Sequence, residues 1–533
     1  MNPAARQLVD RLWSYCNVLR DDGVSSQDYL EQLSFLLFLK MAAEQEGLNE
    51  KKTNSADHKH ILPVVGEWKG RGWNELLDLE GDPLEEAYTK LLADLGRRSA
   101  DGDHTTLSLI FNRARNRIEN PANLRRLIVD LINEEEWLSA RSDIKGAAYE
   151  ALIARSAGDT RGGAGQYFTP RVLIESIVRC MRPTPYDTVI DPACGTGGFL
   201  LAAYEYIARE YEQDDLSDQD WEELRTQRIR GTEIVPTTAR IAAMNLLLHD
   251  IGEATGEPVI EVADALAKQP ARHASVVLAN PPFGRKSSVT VSGRDDEDDA
   301  SGDATYYRPD FWLGDLTTTN KQLNFLQHIG TLMTDKGRAA VIVPDGVLDE
   351  GGKNSAGALI RRELLTNYNL HTVLRLPDGI FHAGSILANV LFFDATSERR
   401  DGGDPPKTRK LWVYDLRTGG RFTLKQRPLR AEHLADFEKL AFSEDDPDHI
   451  KRTKSERFFS FDVEKLLADE SVDLNVGLID SSVSENEQAV PIEELTAGVA
   501  QKLKGALSDI EAFAGGLGVE LSSVEASQAD SWP

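Results

Sequence analysis

"DTVIDPACGTGGFL", residues 187–200, sets a short β-branched run against a glycine-rich turn and then an apolar segment. Val189 and Ile190 suit a buried strand, Asp191 ends it, and Gly195, Gly197 and Gly198 let backbone approach a ligand with no Cβ in the way. Phe199 and Leu200 then open a helix. Two better-known glycine loops are excluded. A P-loop requires Gly-Lys-Ser/Thr, which this loop lacks, and Leu200 stands where a dinucleotide fingerprint places its third glycine. Asp191 could accept from an ammonium, which a triphosphate ligand would not want.

Outward from this stretch, β-rich runs alternate with helical patterns. The further strand candidates are "RIRGTEIV" (228–235), "PVIEVAD" (258–264), "SVVLAN" (275–280), "RAAVIVP" (338–344), "HTVLRLP" (371–377) and "NVLFFD" (389–394), with helical segments at 237–249 and 321–335 between them. The alternation predicts a three-layer α/β domain with a mainly parallel sheet, whose ligands gather at the carboxyl ends of the strands. Residues 1–155 read as a helical domain, with Tyr29, Leu30, Leu33, Leu36, Leu37 and Met41 at helical spacing after Ser25 and Ser26, either of which could cap. The α/β domain is expected over 156–425, with 285–320, including the acidic "RDDEDDASGD", as a mobile insertion. A C-terminal helical region follows over 426–533, where 495–513 carries an apolar face that suits either a core or a partner subunit.

Composition narrows the function classes. Lys plus Arg number 60 against 87 Asp plus Glu in 533 residues, a net charge of −27, so the chain is a poor sequence-independent polyanion binder by itself. A nucleic-acid substrate would require a local basic face or a partner. Cys16, Cys180 and Cys194 form no CxxC, so neither a disulfide framework nor a zinc ribbon is expected and a reducing cytoplasm fits. "LSFLLFLKM" is too short to span a bilayer and no signal peptide is expected. His58 and His60 beside Asp57 read as a solvated loop, so no metal is expected; Cys194 reads as a small buried side chain, not a nucleophile.

Two more carboxylates end strands. Glu233 in "GTEIVP" could bind both hydroxyls of a ribose, and Asp264 in "VADAL" could accept from an exocyclic amine. Alone Glu233 is weak evidence and Asp264 reads as a surface carboxylate or a helix N-cap; three on successive strands beside a glycine loop read as a site. "NPPFG" (280–284) then leaves a hydrophobic strand through two prolines that fix φ and supply no N–H, so Asn280 and Phe283 are presented from a stiffened loop.

Taken in order, "GQYFTPRV" (165–172), "DPACGTGGFL", "GTEIVP", "VADAL" and "NPPFG" resemble the S-adenosylmethionine-dependent DNA N6-adenine methyltransferases, and most closely the modification (M) subunits of type I restriction-modification systems. "LWSYCNVLR", "LLFLKMAAE", "KQLNFLQHI", "GRAAVIVPDGVL" and "LRLPDGIF" extend the likeness over most of 10–400. The resemblance implies a Rossmann-like methyltransferase domain with a seven-stranded sheet. It implies S-adenosylmethionine contacts from Gln166, Tyr167, Phe168, Thr169, Pro170 and Arg171 and from Thr196, Gly197 and Gly198. The methionine end would lie near Thr169 and Asp191, the ribose at Glu233 and the adenine amine near Asp264. "QYFTP" also reads as a helix entry, Thr169 capping and Pro170 at the first helical position.

The same resemblance makes Asn280 and Pro281 the acceptors that draw the N6 amine of adenine toward tetrahedral geometry. Pro282 stiffens the loop, and Phe283 stacks on a base rotated out of the duplex. Phe381 resembles a second stacking position, although a core phenylalanine is the commoner reading. A separate specificity (S) subunit reads the DNA in that family, two M subunits join it and a restriction (R) subunit can be added. This accounts for the lack of a DNA-reading module here. Other readings of the loop are a protein-glutamine or ribosomal RNA methyltransferase, usually with Tyr in place of Phe283, or a solitary DNA methyltransferase with its own reader. A cytosine-N4 enzyme usually has Ser at the Asn280 position, and a noncatalytic scaffold of a defence complex would need none of these residues.

Overall fold

The protein is described as a computed structural model. It covers residues 3–21, 23–52, 72–100, 104–137, 142–159, 169–211, 216–283, 289–292, 304–314, 316, 318–381, 387–395, 405–417, 422, 427–443 and 451–476. The chain divides into a unit of residues 1–478 and one of 479–533. The second unit, with the helix expected at 495–513, and Asp57, His58 and His60 lie outside the described residues.

Ser25, not Ser26, caps the helix Ser26–Lys52: its hydroxyl accepts from the Asp28 N–H at 3.1 Å and donates to the Asp28 carboxylate at 2.6 Å. Tyr29, Leu30, Leu33, Leu36 and Leu37 are all buried, as their spacing requires, and Met41 is half-buried. Helices Pro3–Asp21, Asp82–Ala100, Pro121–Arg126 and Ser142–Asp159 share one core with it. The last of these runs across the boundary expected at residue 155.

The α/β part is a mixed sheet. Its strands are β1 (Val189–Asp191), β2 (Ile229–Glu233), β3 (Ile260–Val262), β4 (Ala274–Ala279), β7 (Met333–Pro344), β8 (Asn369–Leu376), β9 (Ala388–Asp394), β10 (Lys410–Asp415) and β11 (Phe458–Asp462). A separate parallel pair is formed by β5 (Val289–Ser292) and β6 (Ala304–Tyr307). The order in the large sheet is β11-β10-β8-β9-β7-β4-β1-β2-β3. β9 runs antiparallel to β7 and β8, and β11 antiparallel to β10; the other pairings are parallel. Helices 171–181, 198–210 and 431–441 cover one face and 321–332, 356–366 and 463–468 the other, so the central strands read as continuous apolar runs.

All seven strands expected from sequence are present, but the large sheet has nine among the described residues. β10 begins on the last residue of the charged "KTRK", which masks its short apolar run, and β11 is an edge strand whose only sheet partner among the described residues is β10. The region beyond 426 is therefore not wholly helical: a helix at Ala431–Ala441 and another at Val463–Ala468 flank β11. Within the insertion, residues 304–314 are held firmly. Arg308 is fully buried, bonds Asp310 through both carboxylate oxygens at 2.9 and 2.8 Å, and donates to the Leu266 carbonyl at 3.1 Å.

Helix Pro236–Leu247 joins the helical part to the sheet. Ala239, Ala242 and Leu246 pack toward the sheet core, while Ile241, Ala243 and Met244 belong to the N-terminal core. Between them Arg240, 3% exposed, pairs with Glu31 and lies 5.0 Å from the Phe35 ring centre.

Candidate active site

The chain lays β1, β2 and β3 side by side and then returns to place β4 on the other flank of β1. The strand order thus switches direction between β1 and β4, and in open α/β sheets the crevice at such a switch point receives ligands. Asp191 ends β1, Glu233 ends β2, Asp264 follows β3 and Asn280 follows β4, so four polar side chains stand at the carboxyl ends of four neighbouring strands.

The glycine loop is tied to these carboxylates. Gly195 and Gly197 have φ of +55° and +83°, a region that disfavours a Cβ, and Gly197 caps helix Gly198–Glu210. The Gly195 N–H donates to Glu233 Oε2 at 3.0 Å, and Glu233 Oε1 accepts from the Val235 N–H at 2.8 Å. Asp191 accepts from the Ala193 N–H at 2.9 Å. Burial pushes the Asp191 carboxyl up to about 8, with the Glu233 charge adding to the rise, and burial raises Glu233 as well. No lysine or arginine among the described residues offsets either shift. A ligand that brings a cation and hydroxyl or amine donors suits this crevice, and a phosphate does not.

Across the switch point the Asn280 amide donates through Nδ2 to Thr169 Oγ1 at 2.7 Å. Thr169 therefore does not cap the following helix: Pro170 occupies the cap position of Arg171–Met181 and the Thr169 hydroxyl serves the loop instead. With Nδ2 donating to the Thr169 hydroxyl, Oδ1 is the amide atom that can accept from an amine. Pro281 and Phe283 are buried, and the Phe283 ring meets Phe381 edge to face, centres 6.0 Å apart. Sequence positions about a hundred residues apart thus converge on one aromatic pair.

Two family models fit the chain, an HsdM N-terminal domain over residues 8–131 and an N-6 DNA methylase domain over 140–486. The type I restriction enzyme EcoKI methylase subunit of Escherichia coli K12 is 36% identical over 469 residues, 86% of this chain and 80% of that one. The chain belongs to the N-6 DNA methylase family, among type I restriction enzyme methylase subunits. The StySJI methylase subunit of Salmonella typhimurium is also 36% identical over 86% of this chain and 80% of its own. A chain solved in work on complex assembly and conformational transition of a type I restriction-modification system superposes with a TM-score of 0.62 at 26% identity, covering 96% of this chain and 98% of that one. The methyltransferase subunit from Streptococcus thermophilus shares the fold, with a TM-score of 0.63 at 19% identity over 89% and 98% of the two chains.

This methylase subunit is thus an adenine-specific DNA methyltransferase, and its remaining expected site residues sort by position. Gln166, Tyr167 and Phe168 lie outside the described residues. The Arg171 guanidinium is engaged by Glu150 at 2.7 Å, by Glu175 at 3.0 Å and by Glu205, which ties its helix to two others. Cys194 is buried and its thiol is pushed up by burial, as befits an inert side chain.

The structure adds residues that the motifs did not. Asn245, buried within the apolar "AAMNLLL", donates to the Thr196 carbonyl at 3.1 Å and so pins the glycine loop. Tyr306 donates its hydroxyl to Asp264 Oδ2 at 3.2 Å. Ile234 is 60% exposed directly after Glu233, an uncovered apolar flank beside the crevice. Gln322 donates to the Pro282 carbonyl at 2.7 Å. The only sequence signal for Asn245 was an amide inside an apolar helical run, and Gln322, between Lys321 and Leu323, carried none.

Proposed function

We propose that this methylase subunit moves a methyl group from S-adenosylmethionine to N6 of an adenine turned out of DNA, with sequence read by a separate specificity subunit. The observation that carries the reading is the 2.7 Å bond from Asn280 to Thr169, which sets the base-binding loop beside the buried, cation-poor carboxylates of the switch-point crevice. In this reading Asp191 and Thr169 face the methionine end, Glu233 takes the ribose hydroxyls, and Asp264 takes the adenine amine. Thr196, Gly197 and Gly198 offer backbone, and Ile234 packs against the adenine ring. S-adenosylmethionine, when bound, supplies an electrophilic methyl group on a sulfonium.

The N6 amine of the target base is a weak nucleophile because its lone pair is delocalised into the ring. Asn280 Oδ1 and the Pro281 carbonyl accept hydrogen bonds from its two N–H groups and draw it toward tetrahedral geometry, freeing the lone pair; the N6 proton released on methylation leaves to solvent. The prolines keep both acceptors aimed without any rearrangement at the moment of transfer. Phe283 and Phe381 hold the base. A planar ring between two others needs roughly 7 Å, two contacts of about 3.5 Å, so the edge-to-face pair must part when the base enters.

Around this centre we place two methylase subunits with one specificity subunit, a restriction subunit added for cleavage, and the cytoplasm as the location. No described helix is long and apolar enough to cross a membrane, and Cys16, Cys180 and Cys194 are buried. The test is methyl transfer from labelled S-adenosylmethionine to unmodified DNA by the subunit together with its specificity subunit. N6-methyladenine is expected, with a loss of at least ~100-fold in Asn280→Ala. Cofactor binding with no DNA product would shift the reading to a protein or RNA substrate.

A further inference from the structure

We infer that Gln322 is a positioning residue for methyl transfer, holding the Asn280–Phe283 loop through its bond to the Pro282 carbonyl. The inference rests on the reading of that loop as the adenine site. Asn-Pro-Pro-Phe has two residues with no backbone N–H, so the middle of this loop has no donors with which to pin itself. A side chain from outside the loop is therefore needed to tie its backbone to the rest of the protein. The carbonyl of Pro281 is reserved for the target amine, and the next one along, Pro282, receives Gln322 Nε2 at 2.7 Å.

Gln322 is itself fixed in place. It is 3% exposed in helix Lys321–Leu332, next to buried Leu323 and Phe325, where an amide is costly unless hydrogen-bonded. Asn320 caps this helix by accepting from the Gln322 N–H at 3.0 Å and the Leu323 N–H at 3.3 Å. Thr318 anchors the cap: its hydroxyl accepts from the Asn320 N–H at 3.1 Å, and its carbonyl accepts from the Asn324 side chain at 2.9 Å. A connected frame of amides and a hydroxyl therefore runs from Thr318 to the Pro282 carbonyl. The Pro282 peptide lies between the acceptor carbonyl of Pro281 and the stacking ring of Phe283, so a shift there misaims both.

The test measures single-turnover methyl transfer to unmodified duplex DNA by the methylase subunit in complex with its specificity subunit, beside equilibrium binding of S-adenosylmethionine and thermal melting. Gln322→Met keeps the side-chain length without the donor, and Gln322→Glu keeps the shape with an acceptor in place of the donor. In both, the rate is expected to fall ~10- to 100-fold, as a displacement of about 1 Å can produce, while cofactor affinity stays within about twofold. Rates within about threefold of wild type in both variants would overturn the inference. So would losses that disappear once rates are scaled to the folded fraction, or failure of both variants to fold, since each marks a merely structural role. Asn280→Ala separates the two readings. If it is inactive while the Gln322 variants run at full rate, only the positioning role fails. If wild type forms no N6-methyladenine, or Asn280→Ala keeps its rate, the adenine site fails and takes the positioning role with it.

Discussion

Asp191 is a carboxyl whose surroundings favour the acid. Burial is the largest cause, and with the Glu233 charge it moves the group from an ordinary 3.8 to about 8, against a hydrogen bond from Ala193 that pulls it down. Because the folded value is the raised one, the folded chain holds more protons than the unfolded between these limits. The contribution of this group to stability is therefore complete below 3.8 and lost as pH rises through about 8. If Asp191 faces the methionine end as proposed, a cation-bearing ligand needs its ionised form, so binding S-adenosylmethionine should displace a proton. Its affinity should rise about tenfold per unit between about pH 5.5 and about pH 7, where the ligand's ammonium is already charged. Asp191→Asn should bind more weakly with a flat profile in calorimetric titrations, and a slope that survives this substitution would assign the titration to Glu233. The positions of Asp191, Glu233, Asp264 and Asn280 were legible in sequence, because each ends a strand that hydrophobic patterning reveals or follows one within two residues. Asn245, Tyr306 and Gln322 were not, because their roles depend on which backbone carbonyl or carboxylate the fold brings within 3.2 Å, and no local pattern encodes that.

Patterning also recovered elements unevenly, for a physical reason. A strand buried on both faces, such as β4 or β9, is a nearly continuous apolar run and reads clearly, whereas β10 and β11 toward the sheet's far edge carry charged and polar residues, as KLWVYD and FFSFD. The join between the helical part and the sheet was equally silent, because Arg240 looks like any surface arginine until its helix is seen with both faces covered. There the guanidinium meets Glu31 and the carbonyls of Ile110 and Asn112, and burial lowers it to about 10. Removing one partner of a buried pair strands the other charge, so Arg240→Met should cost about 3 kcal/mol in chemical denaturation. Replacing Glu31 with Leu in the same chain should restore part of that loss. A double variant no more stable than Arg240→Met alone would show that the carbonyl bonds, and not the ion pair, carry the junction.

Charge decides what the whole molecule can do alone. The chain carries a net −27, and several of its cations are spent indoors. Arg308, Arg361 and Arg375 are essentially fully buried and point their donors at interior oxygens. Arg361 holds the carbonyls of Val472 and Ser471 at 2.9 and 2.8 Å, and Arg375 holds Asn475 and the Val476 carbonyl at 2.8 Å each. These bonds clamp the last described stretch of chain back against the sheet, and they leave those arginines unable to reach a phosphate. Phosphate contacts supply essentially all non-specific affinity, so the subunit alone should bind duplex DNA no more tightly than about 10⁻⁴ M at physiological salt. With its specificity subunit added, affinity should rise by several orders of magnitude and acquire a steep salt dependence set by the partner's cations. Fluorescence anisotropy across a salt series, with and without the partner, measures both quantities. Tight, sequence-selective binding by the subunit alone would mean that the chain holds its own reader, and the division of labour proposed here would be wrong.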